Sequence, residues 1–229
     1  KVITINPTNS FSSEQVIYVA IGATVEDAFD NAISASSAIF TVIDTAIPTI
    51  VFDPIDSAAD VAATSNITLT FNEAIRNTDN SLLTNSNVGN LITLKNSDFN
   101  GSDITFNATI DPALKVITIN PTSNFSSEQV IYVAIGATVE DASDNAISAS
   151  STTFTAADST PPNVEFTPFG SATGVAVNSD ITIAFDEVIR NIDGSSLTDS
   201  NVDSLITLKT TNSSGSDITF DAFIDNSKQ

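Results

Sequence analysis

The sequence contains no cysteine, histidine, methionine or tryptophan, and it has few basic residues. Without cysteine there is no disulfide, zinc–thiolate site or thiol nucleophile. Without histidine the chain lacks the usual general base at neutral pH and the commonest transition-metal ligand. We therefore expect no enzymatic activity. The donors that remain for a metal are the oxygens of Asp, Glu, Asn and the backbone, which suit Ca2+ or Mg2+.

The shortage of positive charge limits the partners that we expect. Lys and Arg number 7 against 28 Asp and Glu, a formal net charge of -21 in 229 residues. Such a surface repels phosphate backbones and anionic headgroups, so we expect neither nucleic-acid binding nor membrane binding. The longest apolar run, at 16–21, is far too short to span a bilayer. The hydrophobic fraction of 41% is enough for a packed core.

What the chain does contain is a long internal repeat. The octapeptide KVITINPT opens the sequence at 1–8 and returns at 115–122, so that Lys1 aligns with Lys115 at an offset of 114. No gap is needed anywhere in the alignment. The best matched pairs are 12–37 with 126–151, 67–77 with 181–191, and 91–106 with 205–220. The sequence is therefore two periods long, and recent duplication is the simplest cause.

Prolines mark the predicted junctions between repeats. DTAIPTIVF at 44–52 and DSTPPNVEF at 158–166 are typical of linkers that enter a first strand, because proline is excluded from central strands. We predict the C-terminal part of one repeat at 1–43, a complete repeat at 48–158, and the N-terminal part of a third at 161–229. The first residue is Lys, and we interpret the chain as a piece of a longer or processed polypeptide.

Apolar residues recur at every second position, which indicates strands with one buried face. About seven strands in roughly one hundred residues, separated by turns rich in Asn, Asp, Ser and Gly, predict an all-β antiparallel sandwich. One short helical turn is predicted within 81–91, where Ser and Thr could cap it. The predicted strands lie at 49–52, 67–71, 91–95, 103–111, 115–121, 129–136 and 152–156.

Several motifs follow one another in a recognisable order. ITLTFNE at 67–73 is followed by KVITINPT at 115–122, VIYVAIGATVEDASDNAIS at 130–148 and a closing FT at 154–155. This order resembles the SbsA-type bacterial immunoglobulin-like repeat over the whole period. The resemblance implies tandem immunoglobulin-like antiparallel β-sandwiches of about 114 residues per repeat, on secreted and surface proteins of bacteria such as adhesins and S-layer components. It implies no catalytic residues.

Two copies of one acidic loop are the strongest metal candidates. The loop reads VEDAFDNAIS at 25–34 and VEDASDNAIS at 139–148, and it crowds oxygen donors into a turn. A hard cation takes about six to eight such ligands. The alternative is a solvated turn, because Asp and Asn favour turns on their own. With the linker aspartates, the predicted Ca2+ ligands are Glu26, Asp27, Asp30, Asn31, Glu140, Asp141, Asp144, Asn145, Asp44 and Asp158.

A second acidic group reads FNEAIRNTDN at 71–80 and returns in related form at 185–194. Glu73 and Asp79, and Asp186, Glu187 and Asp193 in the second copy, could contribute metal ligands near a domain end. The favoured alternative is that Glu73 pairs with Arg76, and Glu187 with Arg190, in surface salt bridges of small energetic weight. Cations bound at the linkers would stiffen a rod of domains, because they would offset the repulsion between the acidic faces of neighbouring domains.

The sequence favours a non-catalytic structural repeat of a long bacterial extracellular surface protein or filament, such as an adhesin stalk or spacer. The expected partners are neighbouring immunoglobulin-like repeats, placed head to tail in the same polypeptide or in the next subunit. The alternative is a module that binds glycans or other surfaces through many weak contacts. Glycan platforms usually present aromatic rings, and the chain has no Trp and only Tyr18 and Tyr132, which favours the stalk.

The two incomplete repeats suggest a more specific hypothesis. The segment 1–43 supplies late strands of a repeat, and the segment 161–229 supplies early ones. Strand complementation between successive chains would complete both. The competing interpretation is an arbitrary window of a longer polypeptide.

Overall fold

The computed structural model describes residues 1–225, and nearly all of its regular structure is β. It divides into two compact units, Lys1–Ser159 and Thr160–Gln229. The strands of the first unit are β1 (Val16–Ile21), β2 (Ser36–Thr41), β3 (Ile50–Asp53), β4 (Ala58–Val61), β5 (Ile67–Phe71), β6 (Arg76–Asn77), β7 (Ile92–Asn96), β8 (Phe106–Ile110), β9 (Val116–Pro121), β10 (Val130–Ile135), β11 (Val139–Glu140) and β12 (Ser150–Ala156). The second unit contains β13 (Val164–Thr167) and β14 (Thr182–Phe185).

Residues 50–156 form a β-sandwich. One sheet has the strand order β3-β5-β9-β8, and the other has the order β4-β12-β10-β7. The predicted all-β sandwich is therefore confirmed, with differences in detail. The sequence did not predict the two-residue strands β6 and β11, nor β4, which pairs in parallel with β12 through Phe154–Ala58 and Ala156–Val61. The period-two pattern of Ala58–Val61 is weak because only its two end residues are partly buried.

The core is built from alternate residues of both sheets. Ile67, Leu69, Ile117 and Ile119 of the first sheet are fully buried and belong to one cluster with residues of the second sheet, such as Phe154. Each such side chain contributes about 1.5–3 kcal/mol by leaving water. The ring of Phe125 also packs edge-on against Phe154, with centroids 5.7 Å apart. The predicted inward faces of the strands are therefore the observed ones.

The predicted helical turn is a 3-10 helix at Val88–Leu91, and a second one occurs at Val202–Leu205. The predicted Ser or Thr cap is wrong. The N-cap residue is Asn87, which makes no side-chain capping bond; its Oδ1 instead accepts a bond from the backbone N of Thr84 at 2.7 Å. Val88 is fully buried, so packing of this side chain holds the turn in place.

The segments on either side of the sandwich keep the local pairing of their counterparts within it. The β1–β2 hairpin pairs Val16 with Thr41, and β10–β12 pairs Val130 with Thr155 in the same register. In the second unit, β13–β14 repeats the register of β3–β5. Among residues 1–225, no helix has the length and apolar character needed to cross a membrane.

Candidate functional site

The acidic loop at 139–148 is closed by hydrogen bonds to one buried carboxylate. Asp141 Oδ1 accepts bonds from the backbone N of Ser143 at 2.7 Å and of Asn145 at 3.0 Å. Asp141 Oδ2 accepts a bond from Asn145 Nδ2 at 2.8 Å. Burial disfavours the charge, but the bonds from Asn145 and Ser143, together with the positive charge of Arg76, outweigh it. The pKa of Asp141 is therefore lowered below its ordinary value of 3.8.

The first copy of the loop has the same internal bonds in a different environment. Asp27 accepts bonds from Phe29 N at 2.8 Å and from Asn31 N at 3.0 Å. The side-chain bond from Asn31, followed by these backbone bonds, lowers the pKa of Asp27. Asp30 in this copy and Asp144 in the other both adopt a left-handed backbone. Asp27 is exposed, however, whereas Asp141 is buried, because only the second copy lies in the two-sheet sandwich of residues 50–156.

Arg76 takes up two of the predicted metal ligands. Its Nε lies 3.2 Å from Glu140 Oε1, and its Nη2 lies 2.6 Å from Asp144 Oδ1. Strand pairing brings the groups together, because Arg76 on β6 is opposite Glu140 on β11. The expected pair between Glu73 and Arg76 is therefore wrong. The guanidinium of Arg76 pairs with the carboxylates of Glu140 and Asp144. Glu73 lies beside other residues.

Those neighbours are two other acids. Three carboxylates, one each from Asp44, Glu73 and Asp141, come together here, and we call them the joint cluster. One oxygen of each lies within 4.8 Å of the others. Asp44 precedes β3, Glu73 follows β5 and Asp141 follows β11. Burial, followed by the negative charges of Asp141, Asp44 and Glu14, raises the pKa of Glu73 above its ordinary value of 4.5. The cluster thus concentrates like charge where the first incomplete repeat meets the complete one.

Hydrogen bonds fix Asp44 at this joint. Ser13 Oγ donates to Asp44 Oδ1 at 2.6 Å, and the backbone N of Thr45 donates to Ser13 Oγ at 2.8 Å. Asn145 Nδ2 donates to the backbone O of Asp44 at 3.3 Å. The acidic loop of the complete repeat therefore contacts the linker that precedes it.

The same bonds recur one repeat later. Ser127 Oγ donates to Asp158 Oδ1 at 2.5 Å, and Ser159 N donates to Ser127 Oγ at 2.8 Å. Asp158 therefore occupies the second linker in the position that Asp44 occupies in the first. The serine–aspartate contact is therefore shared by the two copies.

The geometry of the joint cluster is compatible with a hard cation. Oxygen ligands lie about 2.3–2.6 Å from Ca2+, so two ligands of one ion can be up to about 5 Å apart. Of the predicted ligands, the structure brings Asp44 and Asp141 together and adds Glu73, for which the sequence left both a metal ligand and a salt bridge to Arg76 open. Glu73 and Asp141 are far apart in the chain, and only the sheet topology brings them close.

Two other surface features bear on ligand binding. A shallow groove is lined by residues 53–55, 58–62, 65 and 66, among which there is no aromatic residue. Phe99 and Tyr132 pack edge-on, with ring centroids 6.4 Å apart, and Phe99 is exposed. The residue at the position of Phe99 in the next repeat is Ser213, so this aromatic pair does not recur along the chain.

Comparison with known proteins identifies the domain type. A family model described as a bacterial Ig-like domain matches residues 44–156. CopC from Methylosinus trichosporium OB3b is 13% identical, and the match covers 50% of this chain and 97% of CopC with a TM-score of 0.34. The LD transpeptidase LdtMt1, solved in complex with imipenem, is 13% identical. The match covers 53% of this chain and 43% of the transpeptidase, with a TM-score of 0.31. No curated protein matches.

Proposed function

We propose that the chain, whose residues 44–156 form a bacterial Ig-like domain, is a non-catalytic structural segment of a bacterial extracellular surface protein. Its repeats act as spacers in a stalk or filament of the adhesin type and resemble the SbsA-type repeat in the order of their motifs. Their neighbours are further repeats, placed head to tail. Bacterial Ig-like domains occur in bacterial surface proteins, which supports this location.

The recurrence of the joint carries the proposal. Ser13 and Asp44 make the same contact as Ser127 and Asp158 at the following linker. A spacer requires each repeat to meet the next in one defined way, because neighbouring units set the stiffness of a repeat array. The two serine–aspartate bonds hold the chain in the same way where it leaves the segment that precedes each linker, which supports a regular spacing. A module with an independent binding role has no need for them.

Ligand binding is the second candidate function, and the exposed pair Phe99 and Tyr132 favours it. Aromatic faces are suited to sugar rings, and many weak contacts along an array would add up. The absence of this pair from the next repeat, where Ser213 replaces Phe99, argues against a multivalent platform. A glycan array probed with the chain and with Tyr132→Ala separates the two functions. Binding that is lost in the variant would favour the ligand-binding module.

Surface labelling tests the structural proposal. Antibodies raised against the 229-residue chain should label intact cells of the source bacterium, and protease added outside the cells should remove the label. Electron microscopy should then place the label along extended surface structures. Antigen found only inside unbroken cells would contradict the proposal.

A further inference from the structure

The connection that follows β7 contains the one Asn–Gly pair of the sequence, Asn100–Gly101. Residues 96–100 are all exposed to solvent. The backbone N of Asn100 donates to Asp98 Oδ1 at 2.7 Å, whereas its carboxamide makes no hydrogen bond to any of residues 1–225. The carboxamide is therefore open to water and to reaction with the adjacent backbone, and asparagine is among the labile residues that thermostable proteins avoid.

The fold requires glycine at residue 101. A Cβ atom there would lie 1.5 Å from the backbone O of Asn96, and the counterpart Gly215 is similarly crowded. Because glycine has no Cβ, the approach to its own backbone N is unhindered. The preceding residue differs between the copies, since Ser214 corresponds to Asn100. The same connection therefore occurs once with a carboxamide and once with a hydroxyl beside an unhindered backbone nitrogen.

We propose that Asn100 is a site of spontaneous deamidation, which converts residue 100 to aspartate or isoaspartate as the protein ages. The backbone N of Gly101 loses its proton to hydroxide and attacks Asn100 Cγ. The new C–N bond closes a cyclic imide, the Cγ–Nδ2 bond breaks, and ammonia leaves with a proton taken from water. A second water molecule then opens the imide. Addition at Cγ gives aspartate, and addition at the backbone carbonyl gives isoaspartate, in which the main chain runs through Cγ.

The turn around Asp98 controls the rate of this reaction. The backbone N of Gly101 donates to the backbone O of Asp98 at 2.9 Å, so in the closed turn the attacking nitrogen is engaged in a hydrogen bond. The reaction therefore proceeds from conformations in which the turn has opened locally, and its rate follows their population. The turn follows β7 at the edge of its sheet, where such openings cost little free energy.

Deamidation changes the edge of this sheet. The backbone N of Asn96 donates to Ser102 O at 2.9 Å, and Ile104 N donates to Leu94 O at 3.0 Å, which closes the connection onto β7. Isoaspartate adds one main-chain atom inside this closed connection, next to the crowded Gly101. The two bonds cannot both keep their present geometry, so the edge of the sheet loosens.

The same connection carries the exposed ring of Phe99. This ring packs edge-on against Tyr132, with centroids 6.4 Å apart. Displacement of the connection separates the two rings, so the aromatic surface of this repeat changes with the age of the molecule. The inference does not rest on the proposed function, because the reaction takes place in the isolated chain and needs only water.

Ageing of the purified chain tests the proposal. Neither Lys nor Arg lies between Lys95 and Lys115, so trypsin releases residues 96–115 as one peptide. After weeks at physiological temperature and mildly alkaline pH, this peptide should gain the mass of an amide-to-acid conversion. Fragmentation should place the gain at Asn100 rather than at the other two asparagines of the peptide. The rate should rise with pH, because the attacking nitrogen must lose its proton. A folded chain whose peptide keeps its mass while the urea-unfolded chain converts would overturn the proposal.

The second copy of the connection supplies the matched control. Asn100→Ser introduces the residue that stands at this position in the next repeat, Ser214, and a hydroxymethyl group cannot form the imide. The aged variant should keep its mass in this peptide. Hydrogen exchange at Asn96 and Ile104 should accelerate on ageing in the original chain and stay constant in the variant. Equal acceleration in both would contradict the link between the reaction and the sheet edge.

Variants of Asp98 test the role of the turn. Asp98→Ala removes the acceptor of Asn100 N and should speed deamidation about threefold to tenfold, the factor by which loss of one hydrogen bond raises the population of the open turn. Asp98→Asn removes the charge and keeps the acceptor. The next copy has Asn212 here, and its Oδ1 accepts a bond from Ser214 N at 2.9 Å. This variant should therefore react more slowly than Asp98→Ala. Equal rates in the two variants would overturn the control by the turn.

Discussion

Ser13 Oγ donates a hydrogen bond of 2.6 Å to Asp44 Oδ1, across the boundary between the first incomplete repeat and the linker. The hydroxyl also accepts a bond from the backbone N of Thr45. Removing it in Ser13→Ala leaves that amide without its partner, so hydrogen exchange at Thr45 should accelerate. Ser12→Ala is the control, because it deletes a neighbouring hydroxyl. Equal exchange at Thr45 in both variants would show that the contact does not order the joint.

The buried face of β9 allows a paired stability test. Ile119→Ala removes a fully buried side chain and should lower the free energy of unfolding by about 2–5 kcal/mol. Ile5→Ala makes the same chemical change at the exposed counterpart and should alter stability by no more than about 0.5 kcal/mol in dilute solution. Urea titrations of both variants measure the difference. Similar losses in the two would mean that residues 1–43 already share the core.

The raised pKa of Glu73 predicts a pH-dependent stability. Because burial and the charges of Asp141 and Asp44 raise this pKa in the folded protein, the folded state binds the proton more tightly than the unfolded state. The charged carboxylate thus destabilises the fold at neutral pH. The penalty fades as pH falls through the raised pKa, and it is absent below the ordinary value of 4.5.

Glu73→Gln should therefore raise the melting temperature by a few degrees at pH 7, and the gain should vanish in acid. Asp60→Asn is the matched control, because it removes one negative charge from an exposed position of the same domain. A gain of equal size from Asp60→Asn would show that net charge, rather than the joint cluster, is responsible.

Calcium at the joint cluster stays a prediction, and melting curves can test it. If an ion bridges Asp44, Glu73 and Asp141, millimolar Ca2+ should raise the melting temperature relative to a chelator, because binding to the folded state alone stabilises it. The rise should be lost in Glu73→Gln and kept in Asp60→Asn. Identical curves with Ca2+ and with chelator would remove calcium as a structural ligand.

Gly101 lies in a tight connection after β7. A Cβ atom at this position would lie 1.5 Å from the backbone O of Asn96, so Gly101→Ala requires the backbone to move. We expect a loss of stability of several degrees in melting temperature and broadened amide NMR signals around Asn96. Gly89→Ala is the control, because the nearest atoms to its added Cβ are 3.9 Å away. Equal melting temperatures for Gly101→Ala and Gly89→Ala would contradict the close approach.

The fold could be predicted from the sequence because alternating apolar residues determine which side of each strand faces the core. Ile67 and Ile119 are buried as the pattern requires. The strand at Ala58–Val61 was missed because only its two end residues are partly buried, and pairing with β12 holds it in place. Long-range pairing of this kind leaves little local signal.

The candidate site was only partly predictable for the same reason. The loop residues Asp141 and Asn145 were found because Asp and Asn cluster in sequence, and they do bond to each other. Arg76 meets Glu140 only because β6 pairs with β11, and Glu73 meets Asp141 only after the sandwich has formed. Contacts between residues that are distant in the chain depend on topology, which spacing alone does not reveal.

The parallel pairing of β4 with β12 bears on mechanical load. Ser57 N donates to Thr153 O and Ala157 N donates to Val61 O, both at 2.7 Å, so these bonds link the entering and leaving ends of the complete repeat. If the sandwich is part of a stalk under tension, β3 is loaded first because it precedes β4, and a load that passes beyond β3 pulls β4 toward its N-terminus and β12 toward its C-terminus. The strands are parallel, so this pull acts along them as shear, and the bonds must break together rather than one after another. A connection of this kind resists stretching far better than a hairpin that unzips.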